Sequence, residues 1–166
     1  MRTPRQAARV AFPDSTGSVF LFRYDDEEVG VHWAMPGGGL NLGESPRQTA
    51  ERELREESGW TDIEVPGAVL FLWEHDFTRA GVPVRQHEEI FLARGPRRDP
   101  VGDVAAAHAA DRIIRWQWWS PGELSAGREL TWPPQLGELL AVVRESGAPP
   151  GPVDLGYVPN GAVSGG

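Results

Sequence analysis

Residues 38–60 read GGLNLGESPRQTAERELREESGW, and this stretch decides the fold. Ser45 followed by Pro46 indicates the start of a helix, because serine accepts a backbone N–H and proline fits the first turn. The segment that follows is rich in Glu, Arg, Gln and Ala, and Gly59 suits a helix end. The sequence therefore predicts a helix over residues 46–58, preceded by a loop with three consecutive glycines.

Three glutamates lie on one face of this predicted helix. Glu53, Glu56 and Glu57 are three and four residues apart, so their carboxylates converge within a single turn. Such crowding of like charge is unfavourable unless a cation offsets it, and carboxylate oxygens suit Mg²⁺ or Mn²⁺. For an arbitrary helix, the alternative is a solvated acidic face paired with Arg52 and Arg55.

The glycines before the helix allow the backbone to approach this site. Gly37 and Gly38 have no side chains, so a loop carbonyl can ligate a cation and loop amides can contact phosphate. Magnesium shares the phosphate oxygens of a substrate and lowers the pKa of a bound water, which indicates phosphoanhydride hydrolysis. An ion pair between Glu44 and Arg52 would brace the loop against the helix.

The same segment resembles the Nudix box, whose pattern is Gly-x5-Glu-x7-Arg-Glu-apolar-x-Glu-Glu-x-Gly-apolar. Every position of that pattern is met, with Trp60 at the closing apolar position, which is usually aliphatic. The resemblance implies an α/β fold, specifically an α/β/α sandwich around a mixed β-sheet. It also implies hydrolysis of a nucleoside diphosphate linked to another group.

The resemblance further implies roles for individual residues. Its metal ligands and the residue that orients them would be Glu53, Glu56, Glu57, the Gly37 carbonyl and Arg52. Gly38 and Gly39 of the loop are the expected contacts to substrate phosphate. An intact set of box glutamates favours an enzyme over the alternative, a catalytically silent nucleotide-binding or regulatory domain.

Family members often add an acidic residue from a strand outside the box as ligand or base, and Glu88 and Glu89 are the two choices here. Adjacent strand residues point to opposite faces, so only one of them can point at the metal site. Glu88 shares a face with Ile90, whereas Glu89 shares one with Phe91. Charged residues beside aromatics suit nucleotide binding, which favours Glu89 as the catalytic acid and leaves Glu88 as a substrate contact.

The rest of the chain predicts strands on both sides of the helix. Strand-like patterns cover residues 9–12, 18–23, 29–34, 63–65, 68–74, 84–93 and 112–119. Turn residues at 13–17 suit a hairpin, apolar spacing predicts a second helix over 133–145, and 97–111 is expected to be a variable loop. We expect one domain over residues 1–146, followed by a Gly/Pro-rich tail over 147–166 that forms a loop, a disordered end or a strap.

Composition narrows the class of partner. A net charge of −8 argues against a nucleic-acid polymer, because neutralising its backbone needs clustered Lys and Arg. A small phosphorylated nucleotide-like substrate is compatible, since a cation can bridge carboxylates to phosphates. The absence of Cys excludes disulfides and a Cys nucleophile, and it argues against a prenyl diphosphate isomerase, a family branch that relies on Cys. No segment has membrane length or signal-peptide character, so the expected location is cytoplasmic.

Substrate choice depends on segments outside the box. Trp73 or Phe77 can stack on a base, although aromatic residues of strands more often pack in the core. The histidines lack the paired spacing of a zinc site and receive no role. A nucleoside triphosphate is slightly favoured over other nucleotide conjugates, and a homodimer through the Trp-rich strand or the tail stays open.

Overall fold

The computed structural model describes residues 1–158. Within this range the strands are β1 (Thr3–Ala11), β2 (Val19–Asp26), β3 (Gly30–Ala34), β4 (Gly37–Gly39), β5 (Val69–Arg79), β6 (Val82–Leu92), β7 (Ile113–Trp119), β8 (Thr131–Trp132) and β9 (Val153–Val158). The helices are α1 (Pro46–Ser58), α2 (Ala105–Ala110), α3 (Pro121–Ala126) and α4 (Leu136–Ser146). None of these helices is long and apolar enough to cross a lipid bilayer.

The strands divide between two mixed sheets. The first has the order β4-β1-β6-β5-β9, in which the β1–β6 and β5–β9 pairs are parallel. The second has the order β7-β2-β3-β8, in which the β3–β8 pair is parallel. The sheets meet through aromatic side chains, since Trp132 of β8 contacts Trp73 and Phe77 of β5 edge-on. Mixed sheets with helices confirm the predicted α/β class.

Both ends of α1 carry the signals that predict them. The Ser45 hydroxyl accepts the N–H of Gln48, and the Gln48 side chain accepts the N–H of Ser45, which forms a capping box. Gly59 ends the helix in the left-handed conformation, with φ of 76°. Ala50 and Leu54 are fully buried where α1 packs against β1 and β4. The helix that carries the glutamates is therefore anchored on the first sheet.

Trp60, the aromatic residue that closes the box, belongs to the core. Its ring lies 5.2 Å from that of Phe12 and 4.8 Å from that of Phe20, measured between centroids. Its indole N–H donates to the Asp99 carbonyl at 2.9 Å. A tryptophan is thus accommodated because neighbouring aromatics surround its ring and a carbonyl satisfies its only donor.

Residues 63–65 form no strand, so this prediction is wrong. Ile63 and Val65 are buried, but their backbone groups bond to side chains of α1. Arg55 donates to the Ile63 carbonyl at 3.0 Å, and Glu51 accepts the N–H of Val65 at 3.0 Å. Helix side chains therefore replace the neighbouring strand that an apolar segment normally requires.

The predicted hairpin between the first two strands is confirmed only at its turn, where Pro13 and Val19 form an isolated antiparallel bridge and the Phe20 N–H donates to the Phe12 carbonyl at 3.2 Å. Beyond this turn, β1 and β2 belong to different sheets. Asp14 stabilises the intervening turn, because its carboxylate accepts the N–H groups of Thr16 and Ser18. The chain crosses from one sheet to the other at this turn.

Two segments that lack periodicity nevertheless contain regular structure. The expected loop over 97–111 includes α2, whose alanines favour a helix. In the expected tail, β9 pairs in parallel with β5, and the Tyr157 hydroxyl donates to Asp76 at 2.6 Å. Residues 153–158 therefore join the first sheet, whereas residues 159–166 of the tail lie outside the described part of the chain.

Replacing Leu54 with Ala should lower the free energy of unfolding by about 2–5 kcal/mol, because a cavity would remain between α1 and the sheet. Urea unfolding followed by circular dichroism measures this change. Val142→Ala is the matched control, since Val142 is 58% exposed on α4, and it should change stability by less than about 0.5 kcal/mol. Equal effects of the two substitutions would contradict the packing of α1 described above.

Candidate functional site

Three carboxylates from separate segments meet beside the glycine loop. Glu53 and Glu57 belong to α1, Asp111 follows α2, and one oxygen of each lies within 4.8 Å of the others. Glu57 is fully buried, and its Oε1 accepts the N–H of Gly37 at 2.9 Å. Its Oε2 is buried without a hydrogen-bond partner in residues 1–158. An unpartnered oxygen among like charges is a donor set that fits a divalent cation.

Charge in this acid cluster, formed by Glu53, Glu57 and Asp111, is unbalanced. Burial raises the pKa of Glu57 well above its usual range, Glu53 and Asp111 raise it further, and Arg9 opposes them only in part. Burial also raises the pKa of Glu53, with Asp111 adding to the effect and Arg52 opposing it. The cluster therefore lacks positive charge that a bound cation would supply.

Each glycine of the loop lies against a group that a side chain would strike. A Cβ on Gly38 would be 2.7 Å from Oε1 of Glu53. A Cβ on Gly37 would collide with the backbone of β1, and one on Gly39 would collide with the guanidinium of Arg5. The glycines are thus required for close approach, and they bring the loop backbone into contact with the acid cluster.

Arg52 connects the loop to the helix. Its guanidinium donates to Glu44 at 2.7 Å and to the Gly39 carbonyl at 3.2 Å, so the expected brace is present. It also donates to Glu53 at 2.9 Å and to Glu56 at 3.2 Å, which holds both carboxylates. Among the described residues, Glu56 is not one of the acids that meet in the cluster, and 52% of its side chain is exposed.

Strand register decides which way Glu88 and Glu89 point. Gly38, Ala8 and Glu89 are paired across β4, β1 and β6, so they share one face of the sheet. The carboxylate of Glu53 lies where a Cβ of Gly38 would point, which places α1 and Glu89 on the same face. Glu88 points to the opposite face. The orientation of Glu89 agrees with the prediction, and its catalytic role stays a prediction.

Glu88 is the centre of a buried hydrogen-bond network. Its carboxylate accepts from four side chains, Arg9 at 2.8 Å, Trp73 at 2.8 Å, His75 at 2.9 Å and Gln86 at 2.6 Å. Burial acts to raise the pKa of Glu88, but Arg9 and His75 outweigh it, so the pKa lies well below its usual range. Arg9 also donates to the Met35 carbonyl at 2.7 Å, so the network supports the glycine loop. The predicted substrate contact by Glu88 would require these bonds to break.

A cavity of about 310 Å³ lies next to the acid cluster. Arg5, Phe77 and Trp132 form parts of its wall, and Gly38 and Asp111 line it as well. Because Gly38 contacts Glu53 and Asp111 belongs to the cluster, a molecule in this cavity can extend to the carboxylates.

The two aromatic residues predicted to stack on a base are placed differently. Phe77 lines the cavity, whereas Trp73 is 4% exposed and stacks on His75 with 4.0 Å between ring centroids. His32 also lines the cavity, stacked on Trp132 at 3.8 Å, although no role is predicted for it. Burial lowers the pKa of His32 to about 4, so its ring is neutral near neutral pH.

Asp111 is the member of the acid cluster that sequence reasoning missed. Nε2 of His108 in α2 donates to the Glu57 carbonyl at 2.7 Å, and this contact docks α2 beside α1. Docking brings Asp111 to the glutamates from a segment outside the box. A single acid just before a predicted strand was the only sequence signal, and it has no fixed spacing from the box.

A comparison with known families decides the identity of this fold. The family model for the NUDIX domain matches residues 3–145. The chain belongs to the Nudix family. This match confirms the resemblance found in residues 38–60 and extends it to both sheets and to α4.

The proteins that resemble this chain include named hydrolases and a MutT protein. An RNA pyrophosphohydrolase of Erythrobacter litoralis is 33% identical over 130 residues, which cover 72% of this chain and 78% of that protein. A MutT protein of Methanosarcina mazei Go1 has a solved structure with a TM-score of 0.61 at 17% identity, covering 87% of this chain and 95% of that one. A MutT NUDIX hydrolase of Burkholderia pseudomallei has a TM-score of 0.60 at 21% identity, covering 82% and 96%. At these identities the solved structures confirm the fold alone.

The stability of the metal-free protein should depend on pH in the direction set by Glu57. Because folding raises its pKa, the protonated carboxyl stabilises the fold below the usual pKa of Glu, and this contribution is lost as the pH rises through the raised value. Glu57→Gln removes the charge, so it should raise the melting temperature of the metal-free protein more at about pH 8 than at about pH 4.

With added Mg²⁺ or Mn²⁺, the wild type should instead melt at a higher temperature than Glu57→Gln. Differential scanning calorimetry with and without metal measures both melting temperatures. Metal at about 100 times its Kd should stabilise the wild type by about 2.7 kcal/mol, and it should stabilise Glu57→Gln far less. Glu138→Gln, an exposed glutamate of α4, serves as the control and should respond like the wild type. An undiminished metal effect in Glu57→Gln would rule out Glu57 as a ligand.

Proposed function

We propose that this chain is a metal-dependent pyrophosphohydrolase that cleaves a diphosphate linkage in a nucleotide-like substrate. The observation that carries the proposal is the acid cluster beside the cavity, in which one buried oxygen of Glu57 has no partner among the described residues. Membership of the Nudix family supports the same reaction class, as do relatives named RNA pyrophosphohydrolase.

In this proposal Glu53, Glu57 and Asp111 hold Mg²⁺ or Mn²⁺. A bound cation of this kind supplies positive charge next to phosphate oxygens and lowers the pKa of a coordinated water. Arg52 positions Glu53, because one guanidinium bonds both Glu53 and the loop residue Glu44. The Gly37 carbonyl and Glu56 stay predicted ligands.

Hydrolysis also requires a group that accepts the proton of the attacking water. The water oxygen bonds to phosphorus, the bridging P–O bond breaks, and a carboxylate takes the proton. Asp111 and Glu89 are acids outside α1 that lie on the side of the glutamates. Asp111 is the preferred base, because one of its oxygens meets Glu53 and Glu57 within 4.8 Å and its second oxygen is left to take the proton.

The cavity suits a single nucleoside. Its volume of about 310 Å³ is at the lower end of the range for small-molecule sites, roughly 300–1,000 Å³. Phe77 and Trp132 offer apolar surface to a base. The net charge of −8 opposes binding along a duplex. The net charge does not oppose binding of an RNA 5′ end, because a single-stranded end can place one nucleotide in the cavity.

The proposed substrates are therefore a nucleoside triphosphate or a 5′-triphosphorylated RNA end. The second widens the expectation from sequence, which set polymeric nucleic acid aside. Relatives of this chain that carry the name RNA pyrophosphohydrolase support its inclusion. Both substrates place one nucleoside beside a diphosphate linkage, which is the arrangement that the cavity and the acid cluster accommodate.

With Mg²⁺, the protein should release phosphate or pyrophosphate from at least one member of a panel of nucleoside triphosphates, nucleotide conjugates and 5′-triphosphorylated RNAs. Glu57→Gln should lower kcat about 100-fold or more, because the lost charge stabilises the transition state by several kcal/mol. Glu138→Gln should retain wild-type turnover. If the metal-loaded wild type turned over nothing, the chain would instead be a catalytically silent nucleotide-binding domain.

Asp111→Asn and Glu89→Gln distinguish the two acids that can serve as base. Loss of a general base typically lowers kcat by about 10²- to 10⁴-fold, and we expect this loss for Asp111→Asn. Glu89→Gln should lower kcat by less than about tenfold, with the acidic limb of the pH profile retained. The opposite result, with the larger loss and an altered acidic limb in Glu89→Gln, would assign the base to Glu89.

A further inference from the structure

Arg5 lies on the cavity wall and has no acidic partner among the residues that the structure describes. Its side chain is half-buried and lines the cavity together with residues of both sheets. Nη1 donates to Oε1 of Gln86, and no carboxylate oxygen of residues 1–158 lies within 4.0 Å of its nitrogens. A guanidinium has five N–H donors, so most of those on Arg5 are unused.

The surroundings of Arg5 do not neutralise its charge. Burial, followed by the charges of Arg79 and Arg9, lowers the pKa of Arg5 to about 10, and Glu88 and Asp111 oppose this only in part. Glu88 is already bonded to four other side chains. A half-buried cation beside like charges is unfavourable unless an anion offsets it.

A supporting role for Arg5 accounts for only part of this arrangement. Gln86 accepts from Arg5 and donates to Glu88 at 2.6 Å, so Arg5 does extend the buried network. That role uses one donor of the guanidinium. It also does not explain Gly39, where any side chain would collide with Nη2 of Arg5. The loop thus leaves space for a guanidinium whose remaining donors have no acceptor in the network.

Arg5 and the acid cluster lie on the two faces of one edge strand. Gly38 and Gly39 are adjacent in β4, with Glu53 against Gly38 on one face and Arg5 against Gly39 on the other. Gly38 lines the cavity that Arg5 lines. A phosphate chain that leads from the cluster into the cavity would pass this strand, where the guanidinium fork matches two phosphate oxygens.

We propose that Arg5 binds a phosphate group of the substrate on the cavity side of β4. The assignment rests on the proposed function, because it takes the acid cluster as the place where the diphosphate is cleaved. The phosphate belongs either to that diphosphate or to the phosphodiester that follows the first nucleoside of an RNA 5′ end.

Calorimetric titration with an α,β-methylene nucleoside diphosphate in Mg²⁺ measures this contact without turnover. If Arg5 contacts the diphosphate, Arg5→Gln should weaken the affinity about 10- to 100-fold, because it removes a charge-assisted, two-pronged hydrogen bond. Arg5→Lys keeps the charge without the fork and should weaken it roughly three- to tenfold. Arg128→Gln makes the same charge change at an exposed position outside this cavity and should bind like the wild type.

Steady-state kinetics identifies which phosphate Arg5 contacts. If it is one of the diphosphate, Arg5→Gln should raise KM for a nucleoside triphosphate and for a 5′-triphosphorylated dinucleotide by the same factor, with kcat little changed. If it is the phosphodiester, only the KM for the dinucleotide should rise, and the affinity for the methylene analogue should stay at the wild-type value. Either pattern supports the assignment.

Unchanged analogue affinity together with unchanged KM for both substrates, in variants that melt at the wild-type temperature, would overturn the role of Arg5. If Arg5→Gln melts at a lower temperature than the wild type, analogue affinity and KM are compared between the wild type and Arg5→Lys instead. Failure of the proposed function has a different signature, because the wild type would then turn over no substrate. The analogue titration would still report whether Arg5 binds the diphosphate.

Discussion

Mutual repulsion among Glu53, Glu57 and Asp111 is the constraint on which the rest of the site depends. Three carboxylates within 4.8 Å, one of them fully buried, persist only because packing holds them together. The packing of α1 on the first sheet holds Glu57 against the glycine loop, where its carboxylate accepts the N–H of Gly37. In the proposed function, the same shortage of positive charge that strains the cluster would give it affinity for a cation. Instability of the cluster and its proposed function would then have one cause.

Two buried glutamates show how the surroundings of a carboxylate decide its part in the site. Glu57 and Glu88 are 0% and 2% exposed, yet their pKa values move in opposite directions. Glu57 accepts one backbone N–H and faces two other acids, so burial dominates. Glu88 accepts from four side chains, including Arg9, and these donors outweigh burial. Glu88 consequently has its hydrogen-bonding capacity filled and supports the loop, whereas one oxygen of Glu57 has no hydrogen-bond partner within residues 1–158.

The parts of the site within residues 38–60 follow from local rules. Helical spacing brings Glu53 and Glu57 onto one stripe, and capping signals at both ends define α1. Asp111 and Arg5 could not be predicted in this way, because their positions depend on the docking of α2 and on the pairing of β1 with β4. No local pattern encodes those contacts. The same reason applies to β9, an edge strand whose pairing with β5 depends on tertiary structure.

The distribution of charge explains how an acidic chain can accept a phosphorylated substrate. The net charge of −8 repels polyanions at long range, yet four arginines line the cavity, namely Arg5, Arg9, Arg79 and Arg112. Glu88 pairs with Arg9 and Glu27 with Arg112, and Asp25, Asp26 and Asp111 line the same cavity, so Arg5 and Arg79 are the arginines of this wall without an ion pair within residues 1–158. Of these two, Arg5 lies across β4 from the acid cluster. A bare anion satisfies only the arginines and is repelled by the acids. In the proposed function, a diphosphate accompanied by a divalent metal would satisfy both, so the two parts of the site together would select the metal-bound form.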